Sequence, residues 1–293
     1  MNFDRSLDAP PGIEMRLSAL VSRVLAPNPG PFTFKGTGVY IIGAGAHVAV
    51  IDPGPALPDH VEALKDTLGV REISHILVTH THRDHSPAAA ALKVWSGAKT
   101  YGVPLASRAS SPASLEGAVD EAHDHDFVPD VLVHGGMRIE GDGFTLECVA
   151  TPGHTANHIC YGLAEERALF SGDHVMGWST SVIAPPDGNM GDYLASLEKL
   201  KARHDRIFYP THGSPIAGPK AWLDQLIAHR HMRENQILAA LAARPQTIGE
   251  LVGRIYPDIA PALRAAAAQQ TAAHLDYLAS RGKIVAEEGR FRI

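Results

Sequence analysis

Three histidines and an aspartate fall within six residues, in Thr79-His80-Thr81-His82-Arg83-Asp84-His85. Imidazole nitrogens and carboxylate oxygens are the donors that zinc, iron and manganese accept, and the apolar run Ile76-Leu77-Val78 delivers them. On an extended segment His80 and His82 project to the same side, because side chains alternate with a period of two. Asp84 and His85, beyond the strand, can turn toward a neighbouring point. The segment can therefore offer two ligands to one metal and two to another. The alternative is a surface loop that happens to be rich in histidine, and the density of donors behind an apolar strand argues against it.

Three more short segments each end a strand-like run on one metal-type residue. His154 lies in Thr151-Pro152-Gly153-His154-Thr155 after FTLECVA, Asp173 in Ser171-Gly172-Asp173-His174 after ALF, and His212 in Pro210-Thr211-His212-Gly213 after RIFYP. Any one of them alone reads as a turn residue. Four such endings in one chain form a pattern.

In that order HTHRDH, TPGHT, SGD and PTHG resemble the metallo-β-lactamase-fold hydrolases, over about residues 35–215. The resemblance implies an α/β fold, a four-layer αβ/βα sandwich with the metals at the edge of its two sheets. It assigns His80, His82 and His154 to one ion and Asp84, His85 and His212 to the other, with Asp173 bridging both. It also implies a hydroxide bridging two divalent ions, zinc first and iron or manganese accepted by the same ligands. Bound water acidified to a pKa of about 7 is the chemical reason for such a centre. Asp84 is the expected catalytic residue, orienting that hydroxide and relaying its proton. True zinc β-lactamases place a cysteine in the second site and lack the bridging aspartate. Here Cys148 and Cys160 sit inside strand-like runs and Asp173 stands at the bridge, so antibiotic hydrolysis is disfavoured.

The segments Met176-Gly177-Trp178-Ser179-Thr180, Pro185-Pro186-Asp187-Gly188 and Tyr193-Leu194-Ala195-Ser196-Leu197, with the helical C-terminus, resemble the β-lactamase-like protein 2 group. That group includes a mitochondrial single-strand endoribonuclease and carries a winged-helix-like C-terminal unit. HRHMRENQILAAL, TIGELVGRIYP and TAAHLDYLASRGKI are similar to its helices.

The elements that must position these residues are partly legible. Residues 39–42, 48–51, 73–79, 158–163 and 168–170 read as strands, and 137–140 and 144–150 as a hairpin around Gly141-Asp142-Gly143. Residues 58–69 carry Val61, Leu64 and Leu68 at helical spacing, with Gly69 as a stop. Residues 104–136 are only weakly periodic. The stretch 213–219, with two Pro and two Gly, reads as a linker, after which the chain becomes rich in Ala, Leu and Arg. Residues 219–293 hold 10 Lys/Arg and 7 Asp/Glu, a net of +3, against −9 for the rest. The expected domains are thus 1–217, catalytic, and 218–293, small, helical and winged-helix-like.

With 293 residues, 45% of them apolar, the chain can bury a large core. It has no apolar run near the roughly 18 residues that cross a bilayer. Two cysteines and an acidic, proline-containing N-terminus predict a cytoplasmic rather than a secreted, disulfide-stapled protein. A net charge of −6 disfavours a general nucleic-acid coat.

Several residues carry lesser expectations. Asp52, before Pro53-Gly54, is expected either to hydrogen-bond the metal-binding loop or simply to start a turn. His158 and His174 can face the site or away from it. Ser179 and Thr180 can offer hydroxyls to a substrate or merely shape a turn. His123 and His125, among acidic neighbours, read as a solvated loop, and His229 and His231, beside Arg230 and Arg233, as a solvated helix face. The expected function is metal-dependent hydrolysis of an ester, thioester or related small-molecule substrate. The alternatives are a single-strand endoribonuclease whose C-terminal unit guides RNA, and a regulator with a structural metal. The C-terminal unit could equally form a homodimer interface or wall the cleft.

Overall fold

The computed structural model describes residues 1–105 and 122–293. The middle of the weakly periodic stretch, residues 106–121, lies outside the described residues.

Alternation along the strands sets the layering. Strands β1 (Met15–Arg16), β2 (Val21–Leu25), β3 (Gly38–Ile42), β4 (His47–Ile51), β5 (Glu72–Leu77), β6 (Lys99–Gly102) and β7 (Val131–Leu132) form one sheet in sequential order. Strands β1 to β4 pair antiparallel and β4 to β7 parallel. Tyr40, Ile42, Ala49, Ile51 and Leu77 pack toward a second sheet, while Val39, Ile41, Val48, Val50 and Ile76 face helices. Both faces are covered, so these strands read as nearly continuous apolar runs.

The second sheet contains β8 (Arg138–Gly141), β9 (Phe144–Ala150), β10 (Ile159–Leu163), β11 (Ala168–Gly172), β12 (Ile207–Pro210) and β13 (Ile216–Ala217), in spatial order β13-β12-β11-β10-β9-β8. Its inner face sends Leu146, Ile159, Tyr161, Phe170 and Tyr209 into the core between the sheets. Helices α1 (Pro58–Leu68) and α2 (Ala88–Ser96) cover the outer face of the first sheet. Helix α3 (Met190–Lys201) joins β11 to β12 and covers the second. The result is a four-layer αβ/βα sandwich.

Helix α4 (Pro219–Ala243) is 25 residues long, about 37 Å, and serves both parts of the molecule. Leu223 and Leu226 pack with Tyr193 and Leu197 of α3. Ile237 and Leu241, further along, pack with α5 (Ile248–Ile255) and α6 (Arg264–Ser280) through Leu251, Leu275 and Leu278. Helix α5 starts on a capping box in which Thr247 and Glu250 satisfy each other's backbone N–H groups. The chain ends in a two-stranded wing, β14 (Val285–Glu287) and β15 (Arg290–Arg292).

Three sequence expectations need correction. The strand predicted over 73–79 ends at Leu77, because the Thr79 N–H is taken by Asp52 Oδ1 at 2.7 Å rather than by a neighbouring strand. His80 and His82 therefore meet on a loop and not by strand alternation. The predicted linker 213–219 is not free chain, since Ile216 and Ala217 add an edge strand to β12 and Gly218 starts α4. The helix face around His229 and His231 is not uniformly solvated. His231 is exposed and His229 half-buried, but Arg230 and Glu234 are buried, because Leu223, Leu226, Arg230, Glu234, Ile237 and Leu241 recur every three or four residues and form one stripe.

Candidate metal centre

The seven side chains singled out by type and spacing converge at the ends of β5, β9, β11 and β12. His80 Nε2 lies 2.8 Å from His82 Nδ1, and His154 Nε2 is 3.2 Å from that same atom. Beside this trio, His212 Nε2 is 3.0 Å from Asp84 Oδ2 and 3.4 Å from Asp173 Oδ1. His85 Nε2 is 3.4 Å from Asp84 Oδ2 and 3.6 Å from Asp173 Oδ2. Asp173 Oδ2 is also 3.9 Å from His154 Nε2, so this carboxylate stands between the two groups. Donor atoms of His80, His82 and His154, of His80, His85 and Asp173, and of Asp84, His85 and His212 each fall within 4.8 Å of one another.

The hydrogen bonds behind these side chains decide which ring nitrogen carries the proton. His154 Nδ1 donates to the Val182 carbonyl at 2.6 Å, and His212 Nδ1 to the Gly36 carbonyl at 3.1 Å. His85 Nδ1 is 2.9 Å from Asp52 Oδ2. The Thr79 hydroxyl donates to Asp52 Oδ2, leaving its oxygen to accept from His80 Nδ1 at 3.1 Å. In four rings, then, the nitrogen facing the centre is the one left with a lone pair when the imidazole is neutral. His85 Nε2, His212 Nε2 and Asp173 Oδ1 are buried without a hydrogen-bond partner. Lone pairs and carboxylates aimed at a common point fit divalent cations, which are what such donors accept.

In the metal-free chain electrostatics divides the centre into two lobes. Burial, reinforced by the His85 and His82 rings, holds His80 well below its usual pKa, and burial with His154 and His123 does the same to His82. Burial also opposes charge on His85, but Asp84 and Asp173 outweigh it and raise this imidazole well above its usual value. Asp173 and Asp84 likewise overcome burial at His212 and push it up to about 10. Against the same opposing effect of burial, His85 and His212 drive Asp84 and Asp173 below the carboxylate range. Protons on His85 and His212 thus balance the two carboxylates where a cation would.

Asp52 is buried, and it accepts from Thr79 N, Thr79 Oγ1, His85 Nδ1 and Thr211 Oγ1 at 2.7–2.9 Å. It holds the loops that carry His80, His85 and His212. His158 lies behind the trio, its Nδ1 2.8 Å from Thr151 Oγ1 and its ring centroid 5.2 Å from that of His80. His174 is fully buried against Tyr193. Ser179 and Thr180 do not line the cavity; Ser179 Oγ donates to the Thr180 carbonyl. Cys148 and Cys160 are buried in β9 and β10, with burial pushing both thiols up to about 12.

A cavity of about 440 Å³ opens above the centre. His82, Asp84, His154, Asp173 and His212 form its floor, and Phe32, Met176, Val182 and Ala184 give it apolar walls. His123, expected in a solvated loop, is buried in its wall and forms a β-bridge with His82, because the Asp124 N–H and the Ala122 carbonyl pair with the metal loop. His125 is exposed. Gln269 of α6 also lines the cavity, so the C-terminal unit walls the cleft. Neither Gln269 nor His123 carries a motif that could have revealed it.

Comparison with known proteins agrees with this architecture. Residues 33–212 match the metallo-beta-lactamase superfamily, and residues 247–292 the beta-lactamase associated winged helix domain. The chain belongs to the metallo-β-lactamase superfamily. It is 34% identical to the beta-lactamase-like protein 2 homolog of Caenorhabditis elegans, over 86% of this chain and 81% of that one. It is 35% identical to the atrochrysone carboxyl ACP thioesterase AgnL7 of Paecilomyces divaricatus, over 79% of this chain and 67% of that one. A beta-lactamase domain protein from Burkholderia ambifaria superposes with a TM-score of 0.83 at 18% identity, covering 98% of this chain and 95% of that one. Superfamily membership makes hydrolysis with divalent metals the coarse function. Among the described residues, no helix is long and apolar enough to cross a membrane.

Proposed function

We propose that the protein is a dinuclear-metal hydrolase acting on a thioester or ester. The observation that carries this reading is the convergence of seven metal-type side chains, five of them on the floor of an apolar-walled cavity. Two divalent ions would supply Lewis acidity and a water acidified to a pKa of about 7, with zinc, iron and manganese all suited to the donors. His80, His82 and His154 would hold one ion, Asp84, His85 and His212 the other, and Asp173 both. Phe32, Met176, Val182 and Ala184 would seat an acyl group and exclude bulk water. Asp84 Oδ2 is turned toward His212 and His85, which leaves Oδ1 to accept a proton and pass it on. Hydrolysis then gives a carboxylic acid and a thiol or alcohol, and no covalent enzyme intermediate is required. A thiol is the easier of these to expel, being the stronger acid.

The thioesterase name of AgnL7 supports the thioester form. The surface of the C-terminal unit gives less support to an RNA track, because several of its cations are engaged. Arg244 and Arg290 pair with Glu250, Arg292 pairs with Glu287, and Arg233 and Arg281 lie over Tyr256 and Tyr277. The deciding experiment is hydrolysis of a panel of acyl thioesters, simple esters, phosphodiesters and unstructured RNA by metal-loaded protein. Thioester turnover that vanishes on chelation is the expected result. RNA cleavage without thioester cleavage would replace this reading with the ribonuclease one.

A further inference from the structure

The segment 181–183 lies between the metal centre and the C-terminal helices and is tied to both. On its inner side the Val182 carbonyl accepts from His154 Nδ1 at 2.6 Å, and Ser181 Oγ lies 2.6 Å from the Asp173 carbonyl and 2.8 Å from that of His174. On its outer side Arg230 Nη2 of α4 donates to the Ser181 carbonyl at 2.7 Å, and Gln270 Oε1 of α6 accepts from Ile183 N at 3.1 Å. The carbonyl that orients His154 is therefore held between two anchors from the C-terminal unit. Arg230 is only 1% exposed, and its guanidinium also lies over the Tyr193 ring, 4.9 Å from the centroid. Burying a guanidinium is costly unless its donors are satisfied, and the buried stripe of α4 is apolar apart from Arg230 and Glu234. Packing alone does not call for an arginine here.

We infer that Arg230 and Gln270 are positioning residues for the metal centre, acting through the backbone of 181–183. Without either anchor the Val182 carbonyl is free to shift, His154 loses its fixed tautomer and ring orientation, and the hold on the ion at the three-histidine lobe weakens. The ion between Asp84, His85 and His212 is affected less. The inference rests on the metal-centre reading above, not on any substrate.

Cobalt(II) titration of the metal-free full-length chain, followed by visible absorption, tests it. Arg230→Met and Gln270→Leu should bind one of two cobalt ions roughly 10–100-fold more weakly, the usual cost of losing a group that orients a ligand, and with altered bands. Arg230→Lys and Gln270→Glu, which keep a donor and an acceptor, should recover most of the native spectrum. Leu226→Ala, in the same helical interface, should lower Tm without changing the bands. Native affinity and bands in both Arg230→Met and Gln270→Leu would overturn the inference, as would the same spectral change in Leu226→Ala. If Arg230→Met does not fold, Gln270→Leu decides by itself. Because no turnover is read, failure of the thioester assay leaves this test intact, whereas a native chain that takes up no cobalt overturns both readings.

Discussion

Asp52 adopts a positive φ of 49° at the end of β4 and gathers hydrogen bonds from Thr79, His85 and Thr211. Few non-glycine residues tolerate that backbone region, and here the side chain's several bonds hold it there. Asp52→Ala leaves those donors buried without an acceptor, at about 1–3 kcal/mol for each orphaned group. Its Tm should fall, and metal should bind roughly 10–100-fold more weakly; thermal unfolding and chelator competition measure the two effects. Asp84 separates binding from chemistry. Asp84→Ala should lose metal and turnover together, while Asp84→Asn should retain part of its metal with little turnover. Full activity in metal-replete Asp84→Asn would exclude the proton role. The seven converging side chains were legible because each lies in a short motif at a strand end. Arg230 and Gln270 were not, because a buried arginine in a run of His and Arg has the same letters as a solvated one. His123 was obscured in the same way by its acidic neighbours.

Helix α4 shows why elements are harder to read than ligands. Its buried stripe interrupts leucine and isoleucine with Arg230 and Glu234, so the periodicity that identifies a core face is masked where the two parts of the molecule meet. Strands β3, β4, β5 and β8 to β12 were legible from their apolar runs, but β1, β2, β6, β7 and the edge strand β13 were not, and strand ends depend on tertiary hydrogen bonds. The same interface buries His274, fully enclosed on α6. Burial first, then the charges of Arg230 and other nearby cationic groups, lower its pKa to about 3. The sign follows from linkage: below an unfolded value near 6.5 the unfolded chain takes up a proton that the folded chain refuses. Stability should therefore drop as pH falls from about 6.5 toward 3, by at most about 1.4 kcal/mol per pH unit for this one group. Metal-free His274→Gln protein should show a shallower fall in Tm between pH 6 and 4 than the metal-free native chain. Equal slopes would assign the acid sensitivity elsewhere.

For the whole molecule, the two parts share one cleft. The sandwich supplies the donors, and α6 supplies Gln269 to the wall and Gln270 to the loop behind His154. The C-terminal unit was legible as a helical, winged-helix-like piece, but its contribution to the site was not, since Ile183 and Gln270, 87 positions apart in sequence, meet only in the fold. The proposed chemistry requires that the seven side chains hold two ions at once, with Asp173 between them. Titration of metal-free protein with zinc, iron(II) or manganese, followed by elemental analysis of the washed complex, tests this most directly. Two ions per native chain, and a loss of at least one in Asp173→Ala, is the predicted result. A single ion or none in the native chain, or two retained in Asp173→Ala, would contradict it.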